Sequence, residues 1–317
     1  MRFTLDAEQR DFAASIDAAL GGADVPGAVR AWADGDTAPG LRVWRLLSDL
    51  GVTALAVPER FDGIGAHPVD LVVACERLGR WCVPGPVAES VAVAPVLLAD
   101  DERAAALAAG ELIATVAMPP SAPWALDADS AGLVLLAADG AVCDATTTQQ
   151  HTSVDPSRRL FSVTGQGSSH PADSARAFEF GALATAAQLV GGGQAMLDMT
   201  VDYARQRSQF GRLIGSYQAV KHKLADVHIA LELARPLLYG AALSLADSGP
   251  DTVRDVSAAK AAASDAALLS ARAALQTHGA IGYTAEHDLS QWLLRVQALH
   301  SAWGDPRHHR GRVLEAL

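Results

Sequence analysis

Cysteine is scarce in this 317-residue chain, with only Cys75, Cys82 and Cys143. An odd, small number without the paired spacing of a metal knuckle excludes a disulfide scaffold and a zinc site. Charge is also thin. Charged residues make up 19% of the chain, below the roughly 25% of ordinary domains, which points to surface covered in an oligomer. Basic charge is in deficit, with 25 Lys and Arg against 36 Asp and Glu for a net −11. No run of basic residues exists to displace counterions from a polyanion, so nucleic-acid binding is excluded. The start, Met1 to Asp6, lacks the apolar core of a signal peptide, and a reduced, cytoplasmic protein is expected. One apolar run, Phe180 to Leu197, carries no charge over 18 residues. It contains Thr185, Gln188, Gln194 and several glycines, so it reads as a helix buried in a bundle rather than a membrane span.

Hydrophobic residues, at 50%, are ample for a full core and exclude disorder as the main state. The first part reads as short helices. Asp6 is placed to cap a helix through Phe12, Ile16 and Leu20. Leu41 to Leu50 puts Val43, Leu46, Leu47 and Leu50 on one side and ends at Gly51. Pro58 and the segment Phe61 to Gly65 form a loop. Pro68 to Leu78 is helical, stopping at Gly79, and Ser90 to Gly110 is an Ala-rich helical stretch after the Pro84-Gly85-Pro86 break. Leu112–Met118, Gly132–Leu136, Ala141–Thr148 and Leu160–Val163 fit strands of a small sheet. From Asp173 onward the pattern is again helical. Tyr217, Val220, Leu224, Val227, Leu231 and Leu238 form a bundle seam that Pro236 is expected to kink. Asp255–Gln276 and Asp288–Leu299 are further helices. The expected fold is mostly α: an N-terminal helical domain over 1–110, a shortened middle β domain over 111–172, and a C-terminal four-helix bundle over 173–317.

Several motifs then appear in order. Leu50-Gly51-Val52, Ala56-Val57-Pro58-Glu59 and Cys75-Glu76-Arg77-Leu78-Gly79-Arg80 come first. Tyr203 to Gly211, Ile214 to Gln218 and Lys223-Leu224-Ala225-Asp226 follow. Gln276 to Thr284 and Leu293-Leu294-Arg295 close the series. The set resembles the acyl-CoA dehydrogenase family over the N-terminal helical region and the whole C-terminal bundle. On their own chemistry, Arg207 offers a planar fork of donors to a diphosphate. Phe210 supplies an apolar face, Gly211 a tight turn, and His278-Gly279-Ala280 a backbone that a phosphate or ribityl chain can approach closely. Arg207 paired to a surface acid, or Gly279 merely ending a helix, is the plain alternative. The resemblance implies that Arg207, Gln209, Phe210, Gln218, Gln276, His278, Gly279 and Ala280 contact FAD bound by a neighbouring subunit.

The resemblance also implies a reaction. A carboxylate takes a proton beside a thioester, and a hydride leaves the next carbon for the flavin, giving an α,β-unsaturated acyl-CoA. Where many members carry that glutamate, this chain reads Trp303-Gly304-Asp305-Pro306. Gly304 has no side chain, and Asp305 is one residue off and shorter. The other position used in the family falls on Gly181, with Glu179 the nearest acid. Glu179 is therefore a candidate base, with a surface or capping acid as its alternative. Between Pro119 and Gln166 the family's flavin-flanking motifs are missing, and Trp124 sits in a loop. The resemblance is thus to the short partner of actinobacterial heteromeric acyl-CoA dehydrogenases, which act on CoA thioesters of steroid side chains. The expected partners are an acyl-CoA and a longer subunit in a heterotetramer, or else a homo-oligomer. A non-catalytic assembly subunit, and a flavin-dependent oxidase or monooxygenase on the same scaffold, are the other readings. Gly191-Gly192-Gly193 lacks the spacing of a dinucleotide fingerprint and reads as close helix packing. His300, His308 and His309 have no acid or cysteine at ligand spacing and read as a solvated C-terminal face. Ser169-His170 falls in a loop with no nucleophile elbow, so a serine hydrolase is not supported.

Overall fold

The computed structural model describes residues 4–284 and 286–317. Its first part comprises α1 (Ala7–Gly21), α2 (Val25–Ala33), α3 (Ala38–Asp49) and α4 (Pro68–Arg80). A π-helical turn over Ala88–Val93 then runs into α5 (Ala94–Leu97), and α6 (Arg103–Ala108) follows. Five strands come next: β1 (Ala114–Ala117), β2 (Ala125–Leu126), β3 (Leu133–Ala138), β4 (Ala141–His151) and β5 (Leu160–Pro171). The rest is α7 (Ser174–Gln206), a small hairpin of β6 (Ser208–Gln209) and β7 (Arg212–Leu213), and the helices α8 (Gln218–Asp247), α9 (Thr252–His278), α10 (Leu289–Ser301) and α11 (Pro306–Glu315).

Local chemistry accounts for most of these boundaries. Asp6 caps α1 in a reciprocal box: its side chain accepts from the Gln9 amide at 2.8 Å, while the Gln9 side chain accepts from the Asp6 amide at 3.2 Å. Ile16 and Leu20 then face the core. Past α3, Gly51 takes φ +78°, the left-handed turn that ends the helix. Asp24 caps α2, which has a Pro in its first turn and buries Val25, Ala28, Val29 and Trp32.

The structure departs from the sequence reading in several places. The helix of Pro68 does not stop at Gly79 but continues to Arg80, because Gly79 is an interior contact point: a Cβ there would lie 2.1 Å from the Gln188 carbonyl oxygen. The Ser90–Gly110 stretch is not one helix but the π turn, α5 and α6 in succession. Ser169-His170 lies in β5, not in a loop. Pro236 lies inside α8, which continues through it over Gln218–Asp247, and the proline is exposed. His309 is fully buried and not part of a solvated face, whereas His308 is exposed.

The sheet has the order β1-β3-β4-β5-β2, with β1 parallel to β3 and the other pairs antiparallel. Ala114, Val116, Leu135 and Ala137 join the main core. Ala117, Ala125, Ala128 and Phe161 make a separate small cluster. The charge-free run expected to be buried is buried but for the half-buried Gln194, in the middle of α7. The glycine run there does what close packing requires. A Cβ on Gly191 would fall 1.9 Å from the Glu76 carbonyl oxygen of α4, and one on Gly193 would fall 2.8 Å from Leu231 of α8. Helix backbones can approach this closely only over glycine. Among the described residues α8 is the helix long and apolar enough to cross a membrane, with a mean hydropathy of 1.3 over its best window. It packs on α7, α9 and α4, burying Val227, Leu231, Ala234 and Leu238.

Gly191→Val should therefore drive α4 from α7 and lower stability by at least about 2 kcal/mol, read as a lower urea midpoint.

Candidate functional site

Three features of the molecule bear on chemistry: a buried tie between its parts, a braced turn at the end of α10, and the outward end of the bundle. The tie is Arg295, the arginine of the Leu293-Leu294-Arg295 motif, which is almost fully buried. Its Nε donates to Asp155 Oδ2 at 2.6 Å, one terminal nitrogen to the Val83 carbonyl at 2.8 Å, and the other to Ser157 Oγ at 2.9 Å. One guanidinium thus joins α10, the loop before β5 and the chain leaving α4. Burial pushes the Asp155 carboxyl up, but the charge and hydrogen bond of Arg295, with Ser157, hold it below the usual range. Arg159 makes a second link, donating to the Trp32 carbonyl at 2.7 Å and to Asp129 at 2.8 Å.

The turn Ala302 to Asp305 stands where the family's glutamate is expected. Trp303 and Gly304 both take positive φ, +55° and +92°. The turn is braced from three sides. Trp303 Nε1 donates to Glu89 Oε1 at 3.1 Å. The Trp303 carbonyl accepts from His309 Nε2 at 2.8 Å, so the ring carries its proton there and its Nδ1 accepts from the Ser257 hydroxyl at 3.2 Å. Burial pulls His309 down to about 3, keeping it neutral. Beneath the turn lies Lys260, wholly buried, its ammonium donating to the carbonyls of Leu299, His300 and Gly304 at 3.3, 3.3 and 3.0 Å. It ties the C-terminus of α10 to the turn, a favourable place for a cation.

This packing leaves little room for a side chain at either of the two glycines expected to replace a base. A Cβ on Gly304 would lie 2.6 Å from His309 Nε2, and one on Gly181 would lie 2.5 Å from the Trp303 ring. The Trp303 indole covers the one position and the turn itself denies the other. Glu179 is neither a free base nor a surface acid. It is buried, and Arg312 of α11 pairs with both of its oxygens, through Nη2 on Oε1 and through Nη1 on Oε2 at 3.3 Å. Burial raises its pKa and Arg312 opposes the rise. Asp305 caps α11 through the His308 amide at 2.7 Å, which pulls its carboxyl below the usual range.

Beside the turn is a cavity of about 340 Å³ between the Trp124 loop, the β4–β5 connection, Glu89 and the end of α10. Glu89 Oε2 is buried there with no hydrogen-bond partner among the described residues. The buried Arg158 also lines it. Neither residue stood out in the sequence. The available signal was Glu89 itself, a lone acid in the otherwise uncharged run Trp81 to Ala99.

The eight expected FAD residues converge on the opposite feature, the outer end of the bundle, where α7 and α9 finish and α8 begins. Tyr203 of α7 stacks on His278 of α9 with centroids 4.3 Å apart, and Lys223 of α8 donates to the Gln276 side-chain oxygen. Phe210 and Gly211 form the tip of the β6–β7 hairpin at φ +54° and +80°, which suits a two-residue turn with both residues left-handed. Phe210 is 92% exposed. Arg207, Gln209, Gln218, Gln276, Gly279 and Ala280 are exposed too, and only His278 is buried. Arg207 makes no ion pair among the described residues, while Gly279 does end α9, at φ +67°. His278 Nδ1 donates to the Ala274 carbonyl at 2.9 Å, which leaves Nε2 as a buried acceptor without a partner among the described residues.

Comparison with known proteins places this geometry. The model of the acyl-CoA dehydrogenase C-terminal domain matches residues 173–317, and that of the N-terminal domain matches residues 6–101. The chain belongs to the acyl-CoA dehydrogenase family. It is 33% identical over 299 residues to acyl-CoA dehydrogenase IpdE2 of Mycolicibacterium smegmatis, covering 91% of this chain and 92% of the relative. Among solved structures, the Tcur3481-Tcur3483 steroid ACAD superposes with a TM-score of 0.87 at 21% identity, over 99% of this chain and 98% of that one. The ChsE4-ChsE5 complex of Mycobacterium tuberculosis gives 0.84 at 22% identity, again over 99% and 98%. The family comprises oxidoreductases acting on CH–CH bonds with FAD as cofactor. The bundle end fits that cofactor as far as its donor set goes. It offers an exposed guanidinium, three exposed amide side chains, two glycines with open space where a Cβ would be, and an unpaired imidazole nitrogen able to accept from a hydroxyl.

Gly304→Glu does not restore a base. Left-handed φ alone costs a side chain about 1–2 kcal/mol, so the variant should unfold at lower denaturant and gain no dehydrogenation. Lys260 gives a pH signature. Burial brings its pKa down to about 7, so from there up to the ordinary lysine range the unfolded chain holds a proton that the native one does not. Stability from this group rises with pH across that window. Urea titrations at several pH values should show the rise in the unaltered chain and a flatter profile in Lys260→Met.

Proposed function

We propose that this chain is the base-lacking subunit of a hetero-oligomeric, FAD-dependent acyl-CoA dehydrogenase that desaturates an acyl-CoA thioester at its α,β bond. The partner is a longer, complete subunit, and the substrate class is a CoA ester of a steroid side chain. One observation carries the reading. The molecule turns its dinucleotide-type residues outward at the bundle end, while Trp303 and the Gly304 turn close both positions for a base in its own interior. A chain built this way serves a reaction completed elsewhere. The similarity to IpdE2 over nearly its full length, and to chains of the solved Tcur3481-Tcur3483 and ChsE4-ChsE5 proteins, supports the same division.

Bound FAD supplies the two-electron acceptor for the hydride. This chain's residues act on its binding. Arg207 is placed to pair with the diphosphate through a two-pronged contact. Gln209, Gln218 and Gln276 offer amide donors and acceptors. His278 Nε2, without a partner among the described residues, would accept from a hydroxyl of the cofactor, and the exposed Phe210 would offer it an apolar surface from the hairpin tip. Gly279 and Ala280 leave room for close approach. None of these residues moves a proton of the substrate.

Purification with and without a longer acyl-CoA dehydrogenase from the same source tests the reading. The chain alone should be colourless and inactive. The co-purified complex should show flavin absorbance and oxidise acyl-CoA, and Arg207→Ala should lower the flavin content of that complex several-fold. A stable, yellow, active homo-oligomer of this chain alone overturns the proposal, as does a complex whose flavin content ignores the Arg207 change.

A further inference from the structure

The bundle end holds a second link besides the Tyr203–His278 stack. Lys223 of α8 donates from its ammonium to the side-chain oxygen of Gln276, in the last turn of α9. The place suits a cation, since the C-terminus of a helix is its negative pole. The choice of acceptor is less ordinary. Backbone carbonyls in that turn are already taken: Ala273 by the Thr277 hydroxyl at 2.7 Å, Ala274 by His278 Nδ1 at 2.9 Å, and Leu275 by the Gly279 amide. Although the chain carries 36 Asp and Glu, Lys223 makes no ion pair among the described residues and turns to a neutral amide.

That contact fixes a direction. A lysine ammonium has three donors and no acceptor, so only the oxygen of the amide can face it. The amide nitrogen of Gln276 is then held on the other side, and its two N–H donors have no acceptor among the described residues. Gln276 is exposed, so those donors are open to a ligand. Gln209 and Gln218, also exposed, have no such restraint on their side chains among the described residues. Of the three amides expected at the cofactor, one is therefore locked with its donor end outward. The phosphate and carbonyl oxygens of a flavin dinucleotide are acceptors, and a donor is what they require.

We propose that Lys223 is a positioning residue for FAD: it orients Gln276 as a hydrogen-bond donor toward the cofactor without touching the cofactor itself. The inference rests on the FAD-sharing reading of the bundle end and adds to it a residue outside the contacting set. Its contribution is pre-organisation. A free glutamine gives up rotamer freedom when a ligand orders it, and here the folded chain has ordered it before FAD arrives. The alternative is a plain tie between α8 and α9, for which the direction of the amide does not matter.

Titration of FAD into the deflavinated complex of this chain with its longer subunit, followed by flavin fluorescence, tests it. Salt of about 0.3 M screens the long-range pull of the ammonium on a diphosphate beyond a few ångströms. Gln276→Met should raise the dissociation constant at least about tenfold, the effect of losing one hydrogen bond to a charged group. Lys223→Met should raise it about threefold to tenfold, the range for one side chain left unordered. Lys223→Arg should recover most of that loss. In the Gln276→Met background, Lys223→Met should add nothing, because its effect passes through the amide. Gln276→Glu separates orientation from a tie. It keeps an acceptor for Lys223, and so the α8–α9 link and the melting temperature, but it has no donor to offer and should bind FAD at least about tenfold more weakly. Equal factors for Lys223→Met in the two backgrounds overturn the proposal, as does a Gln276→Glu complex that binds FAD like the unaltered one. Arg207→Ala, measured alongside, tells the two readings apart. If it too leaves FAD binding unchanged, the sharing reading has failed and this inference with it. If it weakens binding while the Lys223 factors stay equal, only the role of Lys223 has failed.

Discussion

The architecture hangs on one buried guanidinium. Arg295 reaches from α10 to Asp155 and Ser157 ahead of β5 and to the Val83 carbonyl after α4, so helices from both ends of the chain and the sheet between them share one set of hydrogen bonds. A buried ion pair is not by itself a large source of stability, because desolvating both charges offsets most of the attraction. What it fixes is register. Only one placement of α10 against the sheet satisfies all three acceptors, and that placement carries the Trp303 turn into contact with Glu89. The position of the cavity wall follows from it.

From this frame the two ends of α10 acquire different characters. Toward the turn, the carbonyls of Leu299, His300, Trp303 and Gly304 are answered from inside the protein by Lys260 and His309, and a Cβ at Gly304 would meet His309. Toward the bundle end, side chains with no internal partner face outward. The contrast is electrostatic as much as steric. Among the described residues several buried charges pair, Arg295 with Asp155 and Arg312 with Glu179, while Lys260 is answered by uncharged oxygens alone and Arg207 on the exterior makes no ion pair.

Much of this was legible in the sequence because it rests on local rules. The cap at Asp6, the stop at Gly51, the glycine run of α7 and the ordered motifs of the bundle need only neighbours in the chain to be recognised. Other parts depend on contacts between distant residues and left little trace. Gly79 looks like a helix terminator until Gln188 is known to pass over it. β4 and β5 run longer than expected because their middle carries polar side chains on an exposed ladder, Thr146 to Gln150 among them, with no apolar alternation to mark it. Glu179 is an acid near the expected site, but its role is set by Arg312, which lies 133 residues away. The roles of Glu89 and Arg158 follow from a cavity, and a cavity has no sequence pattern.

The Trp303–Gly304 turn also couples two distant glycines. A side chain at 304 needs the backbone to leave its left-handed conformation, and one at 181 needs the Trp303 indole to move. Since the indole and the glycine are neighbours in one turn, neither position opens alone: refitting either one means rebuilding the same four residues.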